Sequence, residues 1–164
     1  MIAHYSSNDL KALSKALERT GKKTARKIIT KAAGKGTTIV RRHIRQKIPV
    51  GETGELRKGI IRKAERSRIK GKKVYDLMFD PKKNYIFQKP IKHPGEAGSS
   101  NTKNGHAYYP KSMDAGFLTR SKGKGLSYYP GYHFMANGAD EGYLTARKTV
   151  IDTAMNEIEK ELAK

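Results

Sequence analysis

The sequence contains no cysteine among its 164 residues, so disulfide bonds and cysteine-ligated zinc sites are excluded. None of the five histidines lies three or four residues from another, the spacing that places two metal ligands on one helical face, and no metal site is predicted. No apolar run approaches the roughly 20 residues that a membrane-spanning helix needs, and the first residues lack the pattern of a signal peptide. We therefore expect a soluble protein that uses no metal, cofactor or membrane.

Recognisable enzyme fingerprints are also missing. The segment 34–38 (GKGTT) lacks the ending of a phosphate-binding loop, and neither a Gly-x-Ser-x-Gly elbow nor a dinucleotide-binding glycine pattern occurs. One catalytic interpretation is a small ribonuclease site in which His106, Tyr108, Tyr109 or His133 transfers a proton. These residues lie in loop-prone sequence, whereas catalysis requires a rigid frame. We therefore expect no catalytic residues.

Acidic residues are scarce. The chain has 15 acidic and 35 basic side chains, a net charge of +20, and residues 19–73 alone hold twenty basic and three acidic groups. Such a block can contact nucleic acid, with Arg41, Arg42 and Arg45 as candidate phosphate-binding residues on one helix. It can equally face acidic partner subunits, and it lacks the interleaved aromatic residues of single-strand readers. A basic nucleic-acid-binding protein that uses residues 19–73 is therefore the alternative function.

Hydrophobic spacing predicts three helices. The first runs over Ser7–Arg19, and a long second helix follows from Lys22 to Ile48. Gly34 and Gly36 each cost about 1 kcal/mol in a helix interior, which predicts a kink or break there, unless their small size serves a close crossing with another element. Acidic residues 140 and 141 suit the start of a final helix that ends near residue 162. Its predicted apolar face consists of Leu144, Arg147, Ile151, Ala154, Ile158 and Leu162.

Extended segments are predicted between these helices. Segments 59–69 and 72–80 suit two strands joined by a turn at Gly71-Lys72, with period-two alternation in the second. A short strand is predicted within 108–117, and an aromatic turn at 128–134. Glycine, proline and small polar residues predict flexible loops over 90–106 and 121–125. The predicted fold is one α+β domain, 1–164, in which a long N-terminal helix and a C-terminal helix pack on a small antiparallel sheet.

A sharp motif separates the basic helix from the first strand. Pro49 disfavours helical backbone in the residue before it, and Gly54 permits a turn with positive φ. The resulting pattern, Pro49 followed by Thr53, Gly54, Leu56 and Arg57, resembles the signature of the minor tail or tail-completion proteins of long-tailed bacteriophages. These neck proteins join the tail to the head.

The resemblance extends over most of the chain and implies further site residues. Asp114 and Gly116 match the family's acidic-x-Gly element, and Phe134 matches an aromatic residue near a turn before the closing helix. The family resemblance implies a homo-oligomeric ring, commonly a hexamer, which contacts head-connector and tail proteins while DNA passes through it. It also implies a location in the virion, after assembly in the host cytoplasm.

Overall fold

A computed structural model describes residues 7–66, 73–90, 106–121 and 125–163. The helices are α1 (Ser7–Arg19), α2 (Lys22–Lys47), α3 (Glu55–Lys58), α4 (Asn84–Phe87), α5 (Tyr109–Ala115) and α6 (Phe134–Leu162), with a short 3-10 helix at Pro81–Lys83. The strands are β1 (Ile60–Ala64), β2 (Tyr75–Phe79), β3 (Gln88–Pro90), β4 (His106–Tyr108), β5 (Gly116–Ser121) and β6 (Gly125–Pro130). They pair as β1 with β2, β3 with β4 and β5 with β6. The predicted α+β class, with long helices near both ends and small antiparallel sheets, is confirmed.

The chain divides into two compact units. Unit 1 comprises residues 1–42, 62–77 and 140–164, and unit 2 comprises residues 43–61 and 78–139. Both units are therefore assembled from separate stretches of sequence. The assignment of the whole chain to one domain stays a prediction. In the part of the chain that the structure describes, no helix combines the length and apolarity needed to cross a bilayer.

Helix α2 runs without interruption through the predicted hinge, so the expected break at Gly34 and Gly36 does not occur. The reason is tertiary packing in unit 1. A Cβ atom on Gly36 would lie 2.5 Å from Cγ2 of Val150 and 3.2 Å from the carbonyl oxygen of Ala146. The small residue thus permits a close helix crossing, the other role that the sequence left open, and this packing outweighs the helix propensity of about 1 kcal/mol that glycine forgoes.

The two glycines of α2 are expected to respond oppositely to alanine. Gly36→Ala should lower the free energy of unfolding by about 1–3 kcal/mol, because the new methyl group overlaps Val150 and a backbone oxygen. At Gly34 the nearest atom is the end of the flexible Arg62 side chain, at 3.2 Å, so Gly34→Ala should raise stability by up to about 1 kcal/mol. Urea denaturation of both variants would test this pair, and equal responses would contradict the crossing.

The core of unit 1 lies between α2 and α6, which are far apart in the sequence. Ile28 and Ala32 of α2 pack with Ala154 and Ile158 of α6, and all four are buried. The surrounding apolar layer consists of Leu13, Ala16, Leu17 and Val150. On the predicted apolar face of α6, Ile151, Ala154 and Ile158 are buried, whereas Leu144 and Leu162 are exposed. The periodic pattern therefore identified the central part of the contact surface.

Polar contacts reinforce unit 1 at its surface. Nζ of Lys31 lies 2.8 Å from a carboxylate oxygen of Glu157, and this hydrogen-bonded ammonium group lowers the pKa of Glu157. Nη1 of Arg62 donates to the carbonyl oxygen of Gly34 at 2.6 Å, and the guanidinium lies 5.0 Å from the centre of the Tyr75 ring. Part of the excess positive charge therefore has an intramolecular role.

Unit 2 has an aromatic core. The rings of Phe79 and Phe87 meet edge to face at 5.5 Å, Phe79 and Phe134 at 6.1 Å, and Phe87 and Tyr108 at 6.2 Å. Such edge-to-face pairs are favourable beyond the area that they bury. Phe87 and Phe134 are fully buried, together with Ile44, Ile48, Ile60 and Pro110.

Several predicted elements have different bounds. The strands predicted over 59–69 and 72–80 are shorter, and the turn expected between them lies outside the described residues, as do most of the two predicted loops. The short strand expected within 108–117 is mostly helix α5, with β5 following it. Helix α6 begins at Phe134, six residues before the acidic pair at 140 and 141.

Candidate assembly surface

The turn between α2 and α3 is built around Gly54. This residue has φ 62° and ψ 10°, the left-handed conformation in which a side chain is strained. Its amide donates to the carbonyl oxygen of Gly51 at 3.1 Å, and the hydroxyl of Thr53 accepts weakly from the amide of Glu55 at 3.4 Å. Pro49, with φ fixed by its ring, lies immediately before this closed loop. The turn residues therefore shape the backbone that presents α3.

Helix α3 is held to the core by its apolar side. Leu56 is buried, and so is Gly59, where a Cβ atom would lie 2.5 Å from the Phe87 ring. The amide of Asp80 donates to the carbonyl oxygen of Gly59 at 2.8 Å. The turn is thus connected directly to the aromatic core of unit 2.

The side chains of Arg45 and Arg57 donate hydrogen bonds to backbone carbonyl oxygens on the two sides of the turn. Nη2 of Arg57 donates to the carbonyl oxygen of Ile48 at 3.0 Å, and Nε of Arg45 donates to the carbonyl oxygen of Arg57 at 2.8 Å. Hydrogen bonds from charged donors contribute about 1.5–3 kcal/mol each. Arg45, a candidate phosphate-binding residue, therefore has a structural role in the turn. Arg42 is exposed and Arg41 half-buried.

Glu55 supplies the acidic side of the turn. Its carboxylate lies 2.6 Å from Nζ of Lys83 and 3.5 Å from Nζ of Lys58. The hydrogen bond from Lys83 is the main reason that the pKa of Glu55 is lowered. A lowered folded-state pKa stabilises the fold above the unfolded-state pKa, and this stabilisation is lost as the pH falls through the folded-state value. Acidification should therefore loosen this side of the turn.

A groove of about 330 Å³ lies against the turn. Its lining includes Pro49, Gly51, Glu52, Thr53, Gly54, Glu55, Leu56, Ile86, Phe87 and Tyr109. The lining combines apolar and aromatic side chains with a few polar groups, a composition typical of binding pockets. We call it the turn groove. Four residues of the sequence motif, but not Arg57, therefore line one concave surface.

The acidic-x-Gly element forms a second organised region of unit 2. Oδ1 of Asp114 accepts from the amide of Met135 at 3.0 Å, and the carbonyl oxygen of Asp114 accepts from the amide of His133 at 2.8 Å. Asp114 therefore caps the first turn of α6 from a distant position in the sequence. A carboxylate is favourable there because the helix N-terminus carries unpaired amides and a partial positive charge.

Gly116 and Gly131 allow this close approach. Gly116 has φ 86° and ψ 173°, and a Cβ atom there would lie 2.6 Å from the carbonyl oxygen of Tyr129. A Cβ atom on Gly131 would collide with the carbonyl oxygen of Asp114. Phe134, the first residue of α6, is fully buried against Phe79. The residues singled out by the family resemblance thus anchor the start of α6 in the aromatic core.

Removing the Asp114 cap should destabilise the protein moderately. Asp114→Ala leaves the amide of Met135 without its side-chain acceptor, and loss of a helix cap typically costs about 0.5–2 kcal/mol. Asp114→Asn retains an acceptor oxygen and should recover most of the loss. Denaturant unfolding of both variants is the measurement, and an alanine variant as stable as the wild type would exclude a capping role.

The residues of the ribonuclease interpretation have different environments. Tyr108 packs against Phe87, and burial raises the pKa of its hydroxyl. Tyr109 lines the turn groove, and His133 has φ 49° immediately before α6. The side chain of His106 is outside the described part of the structure. Among the described residues, no cluster of three histidine or acidic side chains could hold a metal ion.

The β5–β6 hairpin is a surface that the sequence pattern did not reveal. Phe117 stacks on Tyr129 with the ring centres 5.5 Å apart, and every residue of β6 is exposed. The exposed apolar side chains of the hairpin are Phe117, Leu118, Leu126, Tyr128 and Tyr129. The sequence predicted an aromatic turn at 128–134, and of its aromatic residues only Phe134 is buried. The one sequence feature that could have predicted this strand is the alternation of the apolar residues 126 and 128.

Comparison with known proteins connects this architecture to bacteriophages. Residues 11–88 match the model of the family described as "Bacteriophage HK97-gp10, putative tail-component". The matched stretch contains the whole turn between α2 and α3. Comparison with curated proteins and with solved structures finds no match. The resemblance indicated by the Thr-Gly-x-Leu-Arg turn is therefore confirmed over residues 11–88, where the chain is similar to a family described as a phage tail component.

Proposed function

We propose that this protein is a tail-completion protein of the phage neck, one subunit of a homo-oligomeric ring that joins the tail to the head. The observation that carries the proposal is the exposed apolar β5–β6 hairpin. Contiguous exposed apolar surface marks an interaction site, and a two-stranded hairpin is only marginally stable alone in water. Burial of the hairpin in a larger assembly would cover its apolar surface and stabilise its two strands. The family match supports an assembly within the phage tail.

The neck position fits the remaining features of the chain. A ring subunit needs two different side surfaces that meet head to tail, and unit 2 offers the hairpin and the turn groove. A net charge of +20 suits non-specific contact with DNA passing through the ring. Neighbouring head-connector and tail proteins are the other proposed partners. The role requires no catalysis, so no residue is assigned a catalytic function.

A phage deleted for this gene tests the proposal. We expect complete heads and separate tails to accumulate, and added purified protein to restore joined, infectious particles. Cryo-electron microscopy of those particles should show a ring at the junction, with six copies as the expected number. Joined particles formed without the protein would contradict the neck role. A defect confined to tail length or tail shape would place the protein elsewhere in the tail.

Salt dependence of DNA binding separates this role from the nucleic-acid-binding alternative. Affinity should be weak and independent of sequence, with a slope of about −0.9 in log affinity against log salt for each neutralised phosphate. Arg42→Gln should flatten that slope by about one contact if the exposed Arg42 meets phosphate. Arg45→Gln should instead destabilise the turn, because Arg45 hydrogen-bonds to Arg57. Tight, sequence-selective binding at physiological salt would favour the alternative function.

A further inference from the structure

One face of the β5–β6 hairpin exposes three apolar side chains. Leu118 lies opposite Tyr128 in the antiparallel register, and Leu126 precedes Tyr128 by two residues, so the three side chains share a face. They are exposed by 46%, 48% and 60% for Leu118, Leu126 and Tyr128. We call these three residues the leucine face. Its side chains require a partner surface with an apolar floor.

The turn groove has that character. Leu56, Ile86 and Phe87 give its lining apolar side chains, while Glu52 and Thr53 add polar ones. Glu52 and Thr53 are exposed. Tyr128 of the leucine face offers its ring to the contact, because its hydroxyl donates to the carbonyl oxygen of Ala115 at 3.2 Å. A volume of about 330 Å³ accommodates side chains rather than a folded element. The groove therefore fits side chains of the leucine face.

Charge complementarity favours a second copy of the chain as the occupant. Two copies with a net charge of +20 repel each other, so contacts between them are favoured where opposite charges meet. Strand β6 carries no charged residue, and Arg120 of β5 lies opposite Leu126 in the register, which places a basic residue on this face of the hairpin. The turn groove includes two of the three carboxylates found between residues 19 and 73, and Glu55 is paired with Lys83, so Glu52 is the acidic residue offered to the hairpin.

We infer that the leucine face of one copy docks in the turn groove of the next copy. Two different surfaces of the same unit then form a head-to-tail contact, which is the type of contact that closes into a ring. The inference rests on the proposed ring function and names the contact that would build it. Leu126 and Tyr128 contribute the buried apolar area, and Glu52 lies at the edge of the groove.

Single substitutions with matched controls test each surface. Leu126→Lys adds a positive charge to the leucine face, and Leu144→Lys adds the same charge at an apolar residue of similar exposure, 54%, on α6. Gly51 lines the groove, and a Cβ atom there meets no atom of the described residues within 4 Å, so Gly51→Trp is expected to fill the groove, whereas Gly51→Ala leaves it open. Sedimentation velocity should show at least tenfold weaker association for Leu126→Lys and Gly51→Trp, with both controls like the wild type. Equal melting temperatures establish that all four variants fold.

Mixing the two defective variants tests the head-to-tail geometry. Leu126→Lys retains an intact groove and Gly51→Trp retains an intact leucine face, so one functional contact can form between them. The mixture should yield a dimer and no larger species. A mixture that stays monomeric, or defective variants that associate like the wild type, would overturn the inference. A leucine face that binds a copy with a filled groove would indicate hairpin-to-hairpin contact instead.

Cross-linking in assembled particles gives an independent result. The chain has no native cysteine, so Leu126→Cys combined with Gly51→Cys places the only thiols at the proposed contact. A short bismaleimide should produce a ladder of linked copies, and each single-cysteine variant should not. Infectious particles without a ladder would overturn this contact while leaving the neck function intact. Failure to join heads and tails in the deletion experiment would instead overturn the function.

Discussion

Replacing Gly116 with alanine is expected to destabilise the protein more than any other single substitution considered, by about 3 kcal/mol or more. Gly116 has φ 86° and ψ 173°, a region that is essentially restricted to glycine. An added Cβ atom would also approach the Tyr129 carbonyl oxygen to 2.6 Å and the Gly131 nitrogen to 2.7 Å. Both neighbours are backbone atoms, so relief requires movement of the chain that leads into α6. Chemical denaturation and soluble yield are the measurements.

Gly125 provides the matched control within the same hairpin. It also has a positive φ, 74°, but a Cβ atom there would meet no atom within 4 Å in the part of the chain that the structure describes. Gly125→Ala should therefore incur backbone strain alone, about 1–2 kcal/mol. Similar losses of stability at both positions would mean that backbone strain alone determines the need for glycine at position 116. The close approach of Gly116 to the end of β6 would then have little effect.

The second large effect is expected at Arg57. Arg57→Ala removes the charged donor to the Ile48 carbonyl oxygen at the end of α2, and loss of such a hydrogen bond costs about 1.5–3 kcal/mol. The variant should unfold at lower urea concentration with an unchanged dependence on denaturant. The proposed ring assembly should weaken as well, because the affected turn lines the groove.

Lys58→Ala is the control for the Arg57 experiment. Lys58 is the next residue of α3, and its ammonium group is exposed and lies 3.5 Å from Glu55. Exposed ion pairs contribute at most about 1 kcal/mol, so this variant should remain near wild-type stability. A larger loss for Lys58→Ala than for Arg57→Ala would show that the ion pair, and not the guanidinium bond to α2, secures the turn.

Local sequence rules were sufficient for the first two helices. The apolar spacing of α1 is regular, and Gly21 ends it with φ 78°, so Ser7–Arg19 was predicted with the observed bounds. The long α2 was also predicted, but its continuity was not. Helix propensity at Gly36 gives only a local cost, whereas the close contact with Val150 depends on a residue more than a hundred positions away.

The start of α6 also depends on a contact between residues that are distant in the sequence. A local search finds acidic residues at 140 and 141, but the carboxylate that caps the helix belongs to Asp114, which accepts from Met135. The order of motifs in the phage family nevertheless singled out Asp114, Gly116 and Phe134, which the structure gathers at this one position. A family pattern can therefore identify residues whose shared physical role becomes visible only in three dimensions.

The turn motif was more accessible from sequence because its chemistry is local. Proline and glycine restrict or release φ within a few residues, whatever the rest of the fold does. The hydrogen bonds that Arg45 and Arg57 donate to backbone carbonyl oxygens depend on how α2 meets α3 and were not predictable from residue spacing. The apolar hairpin was missed because exposure is a property of the folded surface, and buried and exposed strands share the same alternation.

The discontinuity of unit 1 has a consequence for synthesis on the ribosome. Ile28 and Ala32 pack against Ala154 and Ile158, so this core cannot close until residue 158 has been translated. Unit 2 uses residues only up to 139 and can begin to fold earlier. Contacts between such distant positions slow folding, and the apolar sides of α1 and α2 stay uncovered in the meantime. We expect the high positive charge of the nascent helices to make unfinished chains repel one another during that interval, and so to reduce their aggregation.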